Sequence, residues 1–185
     1  SARARAGPRA EAEGRPVKSP RPRRQVAVYA GSFDPPTKGH LDLIERSSQL
    51  FDTLLVAIGV HPTRRPLFSV EERVELIKAI SAHIPNVEVQ TFDGLLIDHC
   101  RKVGARVIVR GLRAATDFEY ELQIAHANAD LDPDVETIFL PTRTNYGFVS
   151  ASLVREIASH GGDTSRYAEP QVVAALRLKF PEPGR

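Results

Sequence analysis

The chain of 185 residues contains no methionine, no tryptophan and only one cysteine, Cys100. A single cysteine excludes a disulfide scaffold and is typical of a reducing compartment, so we expect a cytoplasmic protein. No run approaches 18 consecutive apolar residues, which excludes a transmembrane helix. With 42% hydrophobic and 26% charged residues, the composition is that of a soluble globular protein with room for one core.

The net charge of +2 conceals an uneven distribution. Residues 1–24 hold eight basic and two acidic side chains, whereas the other 161 residues hold 17 basic and 21 acidic ones. Four prolines and few apolar residues in the first segment predict a disordered basic tail over 1–24, preceding a domain over 25–185. A transit peptide and a weak electrostatic arm for polyanions remain alternative roles for this tail.

From residue 25 onward, short β-branched runs alternate with stretches of helical periodicity. Strands are predicted over 25–30, 53–60, 87–91, 106–109 and 136–140, and helices over 39–51, 94–103, 117–129, 150–160 and 171–180. A further helix begins at Ser69, which forms a capping box with Glu72. This alternation predicts an α/β fold, a Rossmann-like doubly wound sheet of five parallel strands with helices on both faces. Ligands of such folds bind beyond the carboxyl ends of the strands.

The loop over residues 31–40 joins the first strand to the first helix. Thr37 is a candidate N-cap, and Gly39 and His40 then fall in the first helical turn, where free N–H groups favour an anion. A tight turn with an exposed histidine is the simpler alternative. The loop lacks the P-loop pattern and the dinucleotide-binding glycines, and Ser32 lacks the flanking glycines of a nucleophilic serine.

Three further segments follow other strands. Arg110-Gly111-Leu112-Arg113 comes after the fourth strand, Tyr146–Ser152 opens a helix after the fifth, and Arg64-Arg65 lies beyond the second. Paired arginines and helix N-termini both bind phosphate. Taken alone, each segment is better explained as a solvated turn or a helix cap, but the binding of one polyphosphate explains all of them together.

These motifs resemble the nucleotidylyltransferase superfamily and, within it, the bacterial phosphopantetheine adenylyltransferases. The resemblance runs from about Val26 to Phe180. Thr37-x-Gly39-His40 is similar to the superfamily signature, and the stretch from Arg110 to Glu121 is similar to one more particular to this family. The run Val149–Arg155 resembles the C-terminal nucleotide-binding signature.

The resemblance implies transfer of the adenylyl group of ATP to 4′-phosphopantetheine, which gives dephospho-coenzyme A and pyrophosphate. It implies Mg²⁺ as cofactor, a homohexamer and feedback control by coenzyme A, with no nucleic-acid or membrane partner. The ATP contacts that it implies are Ser32, Phe33, His40, Gly111, Leu112, Arg113, Glu121, Tyr146, Gly147, Phe148, Val149, Ser150, Ala151 and Ser152. The phosphopantetheine contacts that it implies are Ser32, Arg64, Leu96 and Arg110.

His40, Arg64 and Arg113 are the candidate catalytic residues, because a phosphate nucleophile is already an anion and needs charge stabilisation instead of a general base. The chain departs from the family pattern at Arg64, where lysine is usual, and at Ala151, where a third serine is usual. Arginine supplies the same charge as lysine, but its planar guanidinium differs in shape from a compact ammonium.

Three other functions compete with this hypothesis. A sister nucleotidylyltransferase would use another phosphorylated acceptor. A non-enzymatic protein would bind nucleotides or nucleic acid through the basic tail. A zinc protein is disfavoured, because the six histidines are scattered and His99-Cys100 lacks ligand spacing.

Overall fold

The computed structural model describes residues 24–61 and 65–181. The predicted tail, apart from Arg24, and the candidate residue Arg64 lie outside these ranges. The strands are β1 Val26–Gly31, β2 Thr53–Gly59, β3 Val87–Phe92, β4 Val107–Leu112 and β5 Glu136–Pro141. The helices are α1 Lys38–Ser48, α2 Val70–Ser81, α3 Leu96–Val103, α4 Ala115–Leu131, α5 Ala151–Ser159 and α6 Pro170–Lys179, with a 3₁₀ turn at Thr144–Tyr146.

The five strands form one parallel sheet in the order β3-β2-β1-β4-β5. In the central strand β1, Val28 lies between Leu55 of β2 and Ile108 of β4. The strand order reverses at β1, so the chain leaves β1 and β4 on opposite sides of a crevice, where ligands of doubly wound sheets bind. The predicted fold class is therefore confirmed.

The core consists of two apolar clusters. The larger one includes Leu43 and Ile44 of α1, Ile77 of α2, and side chains of α5 and α6. The smaller one joins α3 to alternate residues of the central strands, such as Val28. Because successive strand residues point to opposite faces, the two clusters cover both faces of the sheet.

Several predicted boundaries differ from the structure. β4 continues through Arg110, Gly111 and Leu112, which were predicted to follow the strand. Their backbone is paired with β5, and the arginine in this run concealed the strand signal. α3 begins at Leu96, two residues later than predicted, without a side-chain cap. The edge strand β3 has only exposed and half-buried positions, whereas all strands were predicted to be apolar on both faces.

The capping box that begins α2 is present as predicted. The Ser69 side chain accepts from the Glu72 N–H at 3.2 Å, and the Glu72 carboxylate accepts from the Ser69 N–H at 2.7 Å. This reciprocal pair satisfies two of the free N–H groups at the helix start. Within the residues described, the helices are all too short or too polar to cross a bilayer.

Candidate active site

A cleft of about 1090 Å³ opens at the carboxyl edge of the sheet. Its lining comes from the loops after β1, β2, β4 and β5 and from the start of α5. Four segments that are far apart in sequence thus meet at one edge, which is the arrangement that a single polyphosphate ligand would require.

The β1–α1 loop forms one wall of the cleft, and we refer to residues 32–40 as the first wall. Phe33 adopts a left-handed backbone with φ +48°, an uncommon conformation for a residue with a side chain. Its ring is buried and packs edge-on against both Tyr29 and His40, with ring centroids 5.5 and 5.1 Å away. The first wall is therefore fixed by packing as well as by hydrogen bonds.

Thr37 and His40 cap α1 reciprocally. The Thr37 N–H donates to His40 Nδ1 at 3.0 Å, and the His40 N–H donates to Thr37 Oγ1 at 3.3 Å. The histidine thus occupies the position that Glu or Gln holds in a capping box. Since Nδ1 is an acceptor, the neutral ring carries its proton on Nε2, and the imidazole lines the cleft.

Burial, together with a smaller effect from the nearby charge of Arg113, lowers the pKa of His40 to about 4. Both effects disfavour the imidazolium, because a buried cation loses hydration and a second cation repels it. At neutral pH His40 is therefore an uncharged hydrogen-bond donor through Nε2 and has no free nitrogen with which to act as a base.

The opposite wall comes from β4 and α4, and we refer to residues 110–121 as the second wall. Arg110 makes a bidentate ion pair with Glu121, with Nε and Nη2 each 2.6 Å from a carboxylate oxygen. Arg110 Nη1 also donates to the carbonyl of Ala30 at 2.9 Å. Burial disfavours the charge of Arg110, but the Glu121 carboxylate outweighs it and raises the pKa of the guanidinium. The pair holds α4 against the end of β1.

Tyr29 lies on the floor between these walls and lines the cleft. Burial raises the pKa of its phenol well above the ordinary value. The phenol therefore stays protonated at neutral pH and adds no negative charge beneath a bound anion.

Arg113 belongs to the second wall and lies at the exposed opening of the cleft. Its Nε lies 3.0 Å from Asp117 Oδ2, one helical turn further along the chain, and both side chains are partly exposed. An exposed pair of this kind is weak and exchanges readily with solvent or ligand. Arg113 is therefore available to a phosphate at small cost, unlike Arg110.

Gly111 brings the second wall close to α1. A Cβ at this position would lie 2.4 Å from Leu43 Cδ1, and Leu43 is itself buried in the core. A side chain at 111 would force the buried Leu43 side chain to move, so the glycine suits the close approach of α1 and β4.

The segment between β5 and α5 completes the cleft. The Ser150 side chain accepts from the Leu153 N–H at 3.1 Å and so caps α5. Arg155 of α5 donates to the carbonyl of Asp34, which ties this segment to the first wall. The start of α5 therefore presents free N–H groups to the cleft beside the first wall.

Most of the predicted site residues lie in this one cleft. Its lining includes Ser32, Phe33, His40, Arg110, Gly111, Arg113, Glu121, Tyr146, Val149, Ser150, Ala151 and Ser152. Leu96, Leu112, Gly147 and Phe148 are described by the structure but do not line it. Arg64 is not described, although the adjacent Arg65 does line the cleft.

Two features of the site were missed at the level of sequence. The Thr37-x-x-His40 spacing is that of a capping box, and the same spacing was recognised at Ser69 and Glu72, so the signal was present. The role of Arg73, a buried arginine of α2 that lines the cleft, depends on contacts with distant segments and carried no local signal.

Within the described ranges, His, Cys, Asp and Glu side chains form no group of three or more that could hold a metal ion. Cys100 is a buried free thiol, and burial raises its pKa to about 11. It therefore packs as a small apolar side chain in the core.

Known proteins match this chain in sequence over most of its length. Residues 28–157 match the cytidylyltransferase-like family. The phosphopantetheine adenylyltransferase of Heliobacterium modesticaldum is 54% identical over 155 residues, which cover 84% of this chain and 92% of the relative. The enzyme of the same name from Caldanaerobacter subterraneus subsp. tengcongensis is 53% identical over 156 residues, covering 84% of this chain and 98% of the relative.

Solved structures share the fold at much lower identity. A Vibrio parahaemolyticus protein described as a nicotinate-nucleotide adenylyltransferase superposes with a TM-score of 0.63 at 19% identity, over 83% of this chain and 99% of that one. The nicotinic acid mononucleotide adenylyltransferase of Plasmodium falciparum, in complex with NaAD, superposes with a TM-score of 0.61 at 14% identity. The match covers 86% of this chain and 97% of that one. The sequence relatives are far closer, and this chain belongs to the phosphopantetheine adenylyltransferases of the cytidylyltransferase-like family.

Proposed function

We propose that the protein transfers the adenylyl group of ATP to 4′-phosphopantetheine, giving dephospho-coenzyme A and pyrophosphate. The observation that carries this proposal is the 53–54% identity to phosphopantetheine adenylyltransferases over 84% of the chain. The cleft supports it, because donors from four loops face one space large enough for two phosphate-bearing ligands.

In this reaction an oxygen of the 4′-phosphate forms a bond to the α-phosphorus of ATP. The bond between that phosphorus and the bridging oxygen breaks, and pyrophosphate leaves with the electron pair. No proton has to be removed from the nucleophile, so catalysis rests on alignment and on stabilisation of the charge on the phosphoryl oxygens.

The state of His40 suits this requirement. Its Nδ1 is occupied by the Thr37 N–H, and its low pKa keeps the ring neutral. It can therefore donate from Nε2 to an oxygen of the reacting phosphate without first losing or gaining a proton. Arg113, released from its weak pair with Asp117, would add a positive charge beside it.

Mg²⁺ is part of the proposal. Because the described residues offer no three-ligand cage of their own, the donor set fits a cation that arrives on the phosphate oxygens of the nucleotide. Mg²⁺ bound in that way would neutralise part of the phosphate charge.

The decisive measurement is pyrophosphate release from ATP, with and without 4′-phosphopantetheine. We expect release only with this acceptor, and formation of dephospho-coenzyme A in equal amount. A panel that includes nicotinic acid mononucleotide tests the sister activity. Turnover with another acceptor, and none with phosphopantetheine, would overturn the proposal.

Three further properties belong to the same proposal: a homohexameric assembly, a cytoplasmic location and feedback inhibition by coenzyme A. Sedimentation of the full chain tests the first, and fractionation of the source cells tests the second. Inhibition of pyrophosphate release by added coenzyme A tests the third.

A further inference from the structure

Arg73 is a buried cation whose contacts are unusual. Its side chain belongs to the first turn of α2, and only 4% of the residue is exposed. Buried arginines are normally paired with a carboxylate, because a buried charge is costly without a counter-charge. Among the residues that the structure describes, no carboxylate oxygen lies within 4.0 Å of this guanidinium.

The guanidinium donates instead to backbone carbonyls of three segments. Arg73 Nη1 lies 2.8 Å from the carbonyl oxygen of Ser32 and 3.5 Å from that of Gly59, and Nε lies 3.3 Å from that of Ser69. One planar group thus connects the loop after β1, the end of β2 and the start of α2.

The shortest of these contacts, from Arg73 to the Ser32 carbonyl, holds a peptide of the first wall. The Ser32 carbonyl belongs to the peptide that precedes Phe33, whose left-handed backbone is uncommon for a residue with a side chain. A donor at this carbonyl fixes the orientation of the peptide and so the path of the chain toward His40.

The acidic side chain of the first wall, Asp34, is engaged by other groups. Hydrogen bonds at the start of α2 lower the pKa of the exposed Glu71, and Arg73 acts on it only as a nearby charge that adds to this effect. Both carboxylate oxygens of Asp34 accept backbone N–H groups, from Leu67 and Phe68, each at 2.9 Å. Asp34 also lies beside Arg155, at 3.7 Å. Arg73 lines the cleft, and its Nη2 makes no hydrogen bond to any residue within the described ranges.

We propose that Arg73 is a positioning residue of the adenylyl transfer, which fixes the Ser32–Phe33 peptide against the end of β2 and whose charge is balanced by phosphate bound in the cleft. This inference rests on the proposed function and adds a residue outside the sequence motifs. Two properties of the side chain have separate roles. The forked shape of the guanidinium holds the loop after β1, and its positive charge favours the binding of phosphate in the cleft.

Two variants separate those properties. Arg73→Lys keeps a charge but cannot reach three carbonyls, so pyrophosphate should still bind nearly as in the wild type, while kcat falls by at least about tenfold. Arg73→Met removes both properties, so the Kd for pyrophosphate should also rise by at least about tenfold.

The matched control is Arg46→Met. Arg46 is half-buried and, like Arg73, donates to a backbone carbonyl, but it is paired with Asp42 at 3.0 Å and lies outside the cleft. This control should bind pyrophosphate as the wild type does, and should retain its kcat.

Two measurements on the full chain complete the test: pyrophosphate binding by calorimetry together with the rise in Tm that pyrophosphate causes, and steady-state kinetics with ATP and 4′-phosphopantetheine. If Arg73→Met lowers the Tm of the free protein but binds pyrophosphate as the wild type does, Arg73 is only structural and the proposal is wrong. Equal loss of kcat and of binding in Arg73→Lys and Arg73→Met also overturns it. If wild-type protein binds pyrophosphate but transfers nothing to phosphopantetheine, the proposed function fails, whereas the charge effect of Arg73 is still measured.

Discussion

The two walls of the cleft hold their donors by different means. In the first wall, His40 is neutral and is fixed by reciprocal hydrogen bonds to Thr37. In the second wall, Arg110 and Arg113 are charged and each is held by a carboxylate. The first arrangement fixes one neutral donor for a charge that develops during the reaction. In the second, the pair of Arg110 fixes the wall, and the weakly paired Arg113 remains available to phosphates that are already ionised.

The largest effect is expected when the first wall loses its donor. We predict that His40→Ala lowers kcat by at least about 100-fold, the scale of one lost preorganised donor, with a modest change in the KM for ATP. Steady-state pyrophosphate release measures both constants. Turnover near that of the wild type would show that the neutral imidazole plays no part in the reaction.

In the second wall, the next largest effect is expected on the stability of the protein. Glu121→Gln leaves the half-buried guanidinium of Arg110 without its counter-charge, and we predict a loss of about 2 kcal/mol in the free energy of unfolding. Urea denaturation measures it. The control is Glu75→Gln, which removes an exposed partner of Lys78 and should change stability by less than about 0.5 kcal/mol. Equal losses in both variants would contradict the structural role of the Arg110 pair.

Lowering the pH should reduce the stability that His40 of the first wall contributes. The folded-state pKa of His40, about 4, lies below its ordinary value of 6.5, so the unfolded chain binds the proton more tightly. Stability from this residue is complete above pH 6.5 and is lost as the pH falls from 6.5 toward 4. We predict that the difference in Tm between wild type and His40→Gln shrinks across this window. A Tm difference that stays constant across this pH window would show that the pKa of the His40 imidazole is not lowered in the folded protein.

The smallest effect on stability is expected at the exposed Arg113–Asp117 pair of the second wall. Asp117→Asn removes the exposed partner of Arg113, so the free energy of unfolding should change by less than about 0.5 kcal/mol. Since Arg113 is then unpaired, the KM for ATP should stay the same or fall. A rise in KM would mean that Asp117 orients Arg113 for the nucleotide.

Much of the first wall could be predicted from the sequence, because its determinants are local. Thr37, Gly39 and His40 follow a buried strand within a few residues, and helix capping depends on spacing alone. The alternation of strands and helices was sufficient for the fold class, since parallel strands buried on both faces leave a clear apolar pattern.

The second wall was harder to predict. Arg110 and Glu121 are eleven residues apart, and their ion pair depends on how α4 packs against β4. The family resemblance implies different ligands for these two residues, and the structure shows them in contact with each other. The contacts of Arg73 likewise join segments separated by up to 41 residues. Contacts of this kind follow from the assembled sheet and carry no local periodicity.

Gly111 has a consequence for how the cleft could change during evolution. The hydrogen atom in place of a side chain lets α1 approach β4 at Leu43, and His40 lies one helical turn before that contact. A larger residue at 111 would displace the buried Leu43 side chain and disturb the packing of α1 on β4 next to the turn that carries His40. Selection on the spacing between the walls would therefore act on position 111 through the size of its side chain, although that residue lies in a strand and carries no chemical group of its own.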